Sequence, residues 1–170
     1  MEIYSSPGLG TTFKVYLPVA EGRTVRAPAG GASQPPPPGR GETVLLVEDE
    51  APVRAVTVLL LESLGYRVLE AASAEEALRL AQANGQRVEL LLTDVILPGK
   101  NGRELAEALR RREPGLKVLF QSGHAGEAVA RHGLVETETA VLQKPFTLDA
   151  LARKVRAVLD EPPRPGANGR

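Results

Sequence analysis

Cysteine is absent from the 170 residues, and histidine occurs only twice, as His124 and His132. The first absence excludes disulfides, thiolate metal sites and cysteine nucleophiles. The second leaves little from which to build an imidazole metal centre. No sign of charge predominates either: 21 basic residues balance 21 acidic ones. Nothing therefore draws the chain to nucleic acid or to an anionic membrane. No apolar run approaches the roughly 18 residues of a membrane span. The opening M-E-I-Y-S-S-P-G lacks the basic and apolar regions of a signal peptide. The expectation is a soluble, cytoplasmic chain, long enough for one domain of ordinary size and some extra.

What is present is regular from Thr43 onward. T-V-L-L-V reads as a short strand that ends at Glu48, Asp49 and Glu50. Pro52 suits a first helical turn, and Val53, Val56, Leu60, Leu61 and Leu64 follow at helical spacing, predicting one inward face. Gly65 stops that helix, and Y-R-V-L-E is a second strand. Ser73 and Glu76 form an S-x-x-E capping box for a helix carrying Ala77, Leu78 and Leu80. V-E-L-L-L-T-D is a third strand, closed at Asp94 and followed by the turn pair Pro98-Gly99. Arg103–Arg112 is helical with Leu105, Ala108 and Leu109 inward. L-K-V-L-F-Q is the fourth strand, ending at Ser122-Gly123. A short helix is expected around 126–131. T-A-V-L-Q is the fifth strand, ending at Lys144-Pro145. Thr147 caps a last helix whose apolar face is Leu148, Leu151, Val155, Val158 and Leu159. Strands alternating with helices predict an α/β fold. The form expected is a doubly wound, five-stranded parallel sheet in flavodoxin-like order 2-1-3-4-5.

The segments before Thr43 read differently. Phe13, Val15 and Leu17 alternate with Thr12, Lys14 and Tyr16 after a turn at Ser5–Gly10, which predicts a β-hairpin over residues 1–18. Two strands make no core of their own. Residues 19–41 are rich in Gly, Ala and Pro, with four prolines at 35–38, and read as an extended linker. The domain then spans 42–160, and 161–170 is expected to be a disordered tail.

The polar strand ends carry the chemistry. In a parallel sheet Glu48, Asp49, Asp94, Ser122 and Lys144 fall on one edge, where open α/β sheets place their sites. Two carboxylates about 4 Å apart repel by about 4 kcal/mol at an effective dielectric near 20. Three together need raised pKa values or a cation. A hard divalent ion, Mg2+, is the economical partner for such oxygen ligands. Beside that ion and Lys144, Asp94 becomes a carboxylate nucleophile suited to phosphoryl transfer.

This constellation resembles the receiver domain of two-component response regulators, over Glu42 to about Leu159. The resemblance makes Glu48-Asp49 the acidic pair that positions Mg2+ and Asp94 the phosphoacceptor. V-I-L-P-G-K-N-G follows Asp94 where the family has x-x-M-P-x-x-x-G, with Leu97 replacing the usual Met. It places the backbone carbonyl of Ile96 at a metal-ligand position, Ser122 at the switch hydroxyl, and Lys144-Pro145-Phe146 at the K-P-F motif, whose Lys-Pro bond is typically cis. Val141 stands where the family usually has the Tyr or Phe ring that swings inward, so the chemistry is expected to survive and the outward coupling to weaken. The N-terminal G-L-G-T (Gly8 to Thr11) and F-K-V-Y-L-P resemble the last hairpin of the ATP-binding domain of sensor histidine kinases. No ATP binding is expected of this remnant alone.

Hairpin, linker and receiver in that order resemble the C-terminal end of a hybrid histidine kinase. The resemblance implies a phosphorelay receiver that takes its phosphoryl group from a histidine kinase or histidine phosphotransfer domain and dephosphorylates itself slowly. No nucleic-acid or membrane contact is expected. The alternative is a receiver-shaped docking module with a weakened or absent switch. Two enzyme classes fit less well. A haloacid-dehalogenase-type phosphatase wants a second Asp where Ile96 stands, and a dinucleotide-binding enzyme wants a glycine fingerprint where E-D-E-A-P-V stands. His124 reads as an exposed helix-start residue and His132 as loop surface.

Overall fold

The computed structural model of the chain describes residues 2–6, 8, 10–14, 16, 37–83, 85, 87–99, 101–123 and 140–162. The expected helix at 126–131, both histidines, most of the 19–41 linker and the tail beyond Pro162 lie outside them.

Apolar runs without alternation make strands buried on both faces, as a parallel sheet requires. Strand β3 (Thr43–Val47) is buried at every residue, and β5 (Leu90–Asp94) is buried up to Thr93. With β4 (Arg67–Ala71), β6 (Lys117–Ser122) and β7 (Ala140–Gln143) they form one parallel sheet in the order β4-β3-β5-β6-β7. This is the expected doubly wound order. Helices α1 (Ala51–Ser63), α2 (Ala74–Ala83), α3 (Gly102–Arg112) and α4 (Leu148–Asp160) cover the two faces. Leu45, Val47, Leu91, Val118 and Phe120 pack with Leu105 and Leu109 of α3 and Ala77 of α2. Val44, Leu46, Leu90, Leu92 and Leu119 pack with Leu61 of α1 and Leu151 and Val155 of α4.

Local chemistry sets the helix ends. Pro52 sits in the first turn of α1, where no intrahelical donor is lost. Gly65, at φ +89°, turns the chain out of it. Ser73 Oγ accepts from Glu76 N at 3.2 Å, while Glu76 reaches back to the amide of Ala72 rather than that of Ser73. Asn101 Oδ1 caps α3 through Arg103 N, and Thr147 Oγ1 caps α4 through Ala150 N.

Two inward faces differ from expectation. Val56 is exposed, and the buried line of α1 runs through Thr57 and Leu61. Thr57 can be buried because its hydroxyl donates to Val53 O at 2.9 Å. Leu148 also faces outward; α4 instead buries Leu151, Ala152, Val155, Arg156 and Val158. Arg156 is neutralised there by Glu42 Oε1 at 2.6 Å and Asp160 Oδ2 at 2.9 Å.

Residues on both sides of the 42–160 span engage the sheet's domain. Gly39 N donates to Leu64 O at 2.6 Å, and Lys117 Nζ donates to Glu161 O at 2.7 Å. The N-terminal residues form a separate unit. In it β1 (Glu2–Ser6) pairs antiparallel with β2 (Gly10–Lys14), and Tyr4 and Tyr16 both donate to Glu2 Oε2. Among the described residues no helix is long and apolar enough to cross a membrane.

Candidate functional site

Alternation along the strands brings the site together. On the face covered by α1 and α4, Val44 and Leu46 of β3 lead to Glu48, and Leu90 and Leu92 of β5 lead to Asp94. On the same face Leu119 of β6 leads to Gln121, and Leu142 of β7 leads to Lys144. Four polar side chains thus cap one apolar layer at the carboxyl edge. Asp49 lies beside them and is exposed. Oxygens of Glu48, Asp49 and Asp94 lie within 4.8 Å of one another.

Lys144 Nζ is 2.5 Å from Glu48 Oε2 and 2.8 Å from Asp94 Oδ1. Glu48, 2% exposed, also accepts from Gln121 Nε2 at 2.9 Å. Asp94 Oδ1 is buried and has no aligned hydrogen-bond donor among the described residues, so its contact with Lys144 is an ion pair. Burial pushes the Asp94 carboxyl up, Lys144 opposes this, and the charges of Glu48 and Asp49 add to it; the result is a pKa of about 6. Burial alone would lower the Lys144 ammonium, but Asp94 and Glu48 outweigh it and hold its pKa above the usual lysine value.

The other residues singled out in the sequence are placed as follows. Ile96 lies in the turn after β5, bridged to Asn101, with its side chain exposed. Ser122 ends β6, one position beyond Gln121, the ladder partner of Asp94, and its carbonyl accepts from Lys144 N at 2.8 Å. The Lys144-Pro145 peptide is cis. Val141 is half-buried on the opposite sheet face, paired with Phe120.

Sequence reasoning missed two supports. Gln121 is fully buried. Arg54 of α1 donates to the carbonyl oxygen of Glu48 at 2.8 Å and pairs with Glu70 at 3.4 Å, tying down the loop that carries the acids.

Such an edge can hold a hard cation between carboxylates and keep an ammonium beside two of them. Residues 44–156 match the family model of the response regulator receiver domain. The sensor kinase CckA of Brucella abortus (strain 2308) is 39% identical over 163 residues, covering 92% of this chain and 17% of that protein. This chain thus spans less than a fifth of that relative's length. The crystal structure of the receiver domain from hybrid histidine kinase CckA is 39% identical with a TM-score of 0.58, over 69% of this chain and 99% of that one. Response regulator TrrA of Thermotoga maritima, solved in complex with Mg2+–BeF, is 25% identical with a TM-score of 0.58, over 69% and 98%. The matched span contains every one of the edge residues, and its fold and sequence agree with receivers of hybrid kinases. The chain belongs to the response regulator receiver domain family.

Proposed function

We propose that Asp94 is the phosphoacceptor of a phosphorelay, charged by the phosphohistidine of a histidine kinase or histidine phosphotransfer domain in a cytoplasmic setting. The observation that carries this reading is the shared ammonium: Lys144 lies 2.8 Å from Asp94 Oδ1 within a cluster of three carboxylates. An Asp94 oxygen attacks phosphorus, the O–P bond forms as the P–N bond breaks, and the electron pair returns to the donor imidazole. Lys144 and the Ser122 hydroxyl would take phosphoryl oxygens, with Lys144 offsetting their charge.

The donor set fits Mg2+. Three carboxylates converge, and one of them, Asp94, has a buried oxygen without an aligned donor. Glu48, Asp49, Asp94 and the Ile96 carbonyl would hold the ion, which when bound neutralises charge on the phosphoryl oxygens. The cis Lys144-Pro145 bond lies at the start of the loop that presents the ammonium.

An exposed apolar groove borders the site, formed by Pro52, Val56 and Leu60 of α1 with Pro145 and Phe146. A surface of this kind suits the apolar side of a helical phosphodonor. The domain limits in this reading are those expected from the sequence, a kinase-derived hairpin at 1–18, a linker at 19–41, the receiver at 42–160 and a tail, with Gly39 and Glu161 bonding to the receiver from outside its limits. A match over 92% of the chain to a sensor kinase must take in part of the stretch before Thr43, which supports a place within a hybrid kinase. Val141, lacking a ring, favours a second reading in which the chemistry operates and its outward coupling through Ser122 is weak.

The test is Mg2+-dependent labelling by acetyl phosphate with Asp94→Asn alongside. The reading expects an acid-stable, hydroxylamine-labile label that Asp94→Asn abolishes. A folded chain that takes no label would overturn it and leave a docking module.

A further inference from the structure

Position 121 lies on the α1/α4 face of the sheet, where Leu119 and Leu142 are buried neighbours and an apolar side chain would fill the space. A glutamine stands there instead, with no exposed surface. Its Oε1 has no hydrogen-bond partner among the described residues, which is a cost an apolar residue would not incur. What it gains is one contact, Nε2 to Glu48 Oε2 at 2.9 Å. A carboxylate only accepts, so the amide nitrogen must face Glu48. The contact passes over β5, from β6 to the residue after β3.

Glu48 needs such a partner because a carboxylate buried this deeply must be paired or hydrogen-bonded. Its two donors, Lys144 and Gln121, land on the same oxygen, Oε2. Lys144 is shared with Asp94, and any charge gathered on Asp94 draws the ammonium that way. Among the described residues Glu48 is the one acceptor that the Gln121 amide nitrogen meets.

We propose that Gln121 is a positioning residue for the cation site: its amide seats Glu48 independently of Lys144, keeping that carboxylate in place when the ammonium turns to Asp94. Gln121 acts through Glu48 and touches neither cation nor phosphoryl group. The inference rests on the reading of Glu48, Asp49 and Asp94 as the Mg2+ site.

The test is titration of the full chain with MgCl2, followed by amide chemical shifts around Asp94. It compares the parent, Gln121→Met, Glu48→Asp and the double variant. Methionine matches the volume without a donor, and aspartate keeps the acid but is too short to reach Gln121. Loss of a hydrogen bond to a charged group predicts about tenfold weaker Mg2+ binding in Gln121→Met. In the Glu48→Asp background the same substitution should change affinity less than twofold, because the contact is already gone. Equal losses in both backgrounds would mean a merely structural effect and overturn the inference. A change below twofold in the parent background would overturn it too. Gln121→Asn, one methylene short, serves in the same cycle should the methionine variant not fold. A parent that shows no saturable shift at Asp94 overturns the metal reading itself, whereas a binding parent with an indifferent Gln121→Met overturns only this inference.

Discussion

Gly102, the first residue of α3, is seated directly against Asp94: a β-carbon at Gly102 would overlap the Asp94 carbonyl oxygen. Its amide also donates to Val95 O at 3.0 Å, which fixes the turn after β5. Alanine would gain about 1 kcal/mol of helix propensity over glycine. The obstruction is backbone, however, and no rotamer relieves it. Gly102→Ala is therefore expected to destabilise the domain by about 2 kcal/mol net, seen as a lower urea midpoint. Labelling by acetyl phosphate should fall with it, because the displaced carbonyl belongs to the proposed phosphoacceptor.

Replacing Asp94 should stabilise the cation-free protein. Its pKa is about 6 in the fold against 3.8 for the free side chain, chiefly through burial. The folded state holds the extra proton between those values, so the parent loses stability as pH rises from about 4 to about 6. Asp94→Asn lacks this loss. The full shift corresponds to about 3 kcal/mol, and solvent access to the carboxyl reduces the expected gain to about 1 kcal/mol at pH 8. The gain should vanish below about pH 4. Urea melts at pH 4 and pH 8 without divalent cations check this, and a constant difference would refute the assignment. Adding Mg2+ should stabilise the parent more than the variant.

The sheet was legible because parallel strands buried on both faces leave unbroken apolar runs, as in T-V-L-L-V and L-L-L-T-D. The carboxylates were legible because each one interrupts such a run. The facing of α1 was not, since A-P-V-R-A-V-T-V-L-L-L is apolar nearly all round and its periodicity cannot choose between Val56 and Thr57. Gln121 and Arg156 were hidden for another reason. Each is a polar residue in a position that reads as surface, and each finds its partner far along the chain: Glu48 is 73 residues from Gln121, and Glu42 is 114 from Arg156. Such pairings exist only in the fold.

The second of those pairs predicts an acid-sensitive contribution. Burial alone would raise the Glu42 carboxyl, but Arg156 and the amide of Arg40 overcome it and set its pKa below 4.5. A depressed carboxylate stabilises the fold above its unfolded pKa and ceases to do so as pH falls through the folded value. Glu42→Gln is expected to cost about 1–2 kcal/mol at pH 7. The difference from the parent should shrink as pH drops below 4.5, which urea midpoints across pH 7 to 3.5 would follow. An unchanged midpoint at pH 7 would show that Asp160 alone satisfies Arg156.

The exposed side of α1 allows the proposed chemistry and the proposed recognition to be tested apart. Val56 and Leu59 are 56% and 66% exposed, so neither supports the core. Val56 lines the groove that runs to Lys144 and Phe146. An aspartate there leaves Glu48, Asp94 and Lys144 untouched and adds a desolvation cost to any apolar partner. Val56→Asp should label with acetyl phosphate within twofold of the parent. Transfer from a phosphohistidine protein that charges the parent should slow by about tenfold, as for truncation of a central interface residue. Leu59→Asp, one turn further from the site, should show a smaller loss in transfer and none in labelling. Equal slowing of both reactions would place the effect in the fold; no slowing of transfer would move the docking surface away from α1.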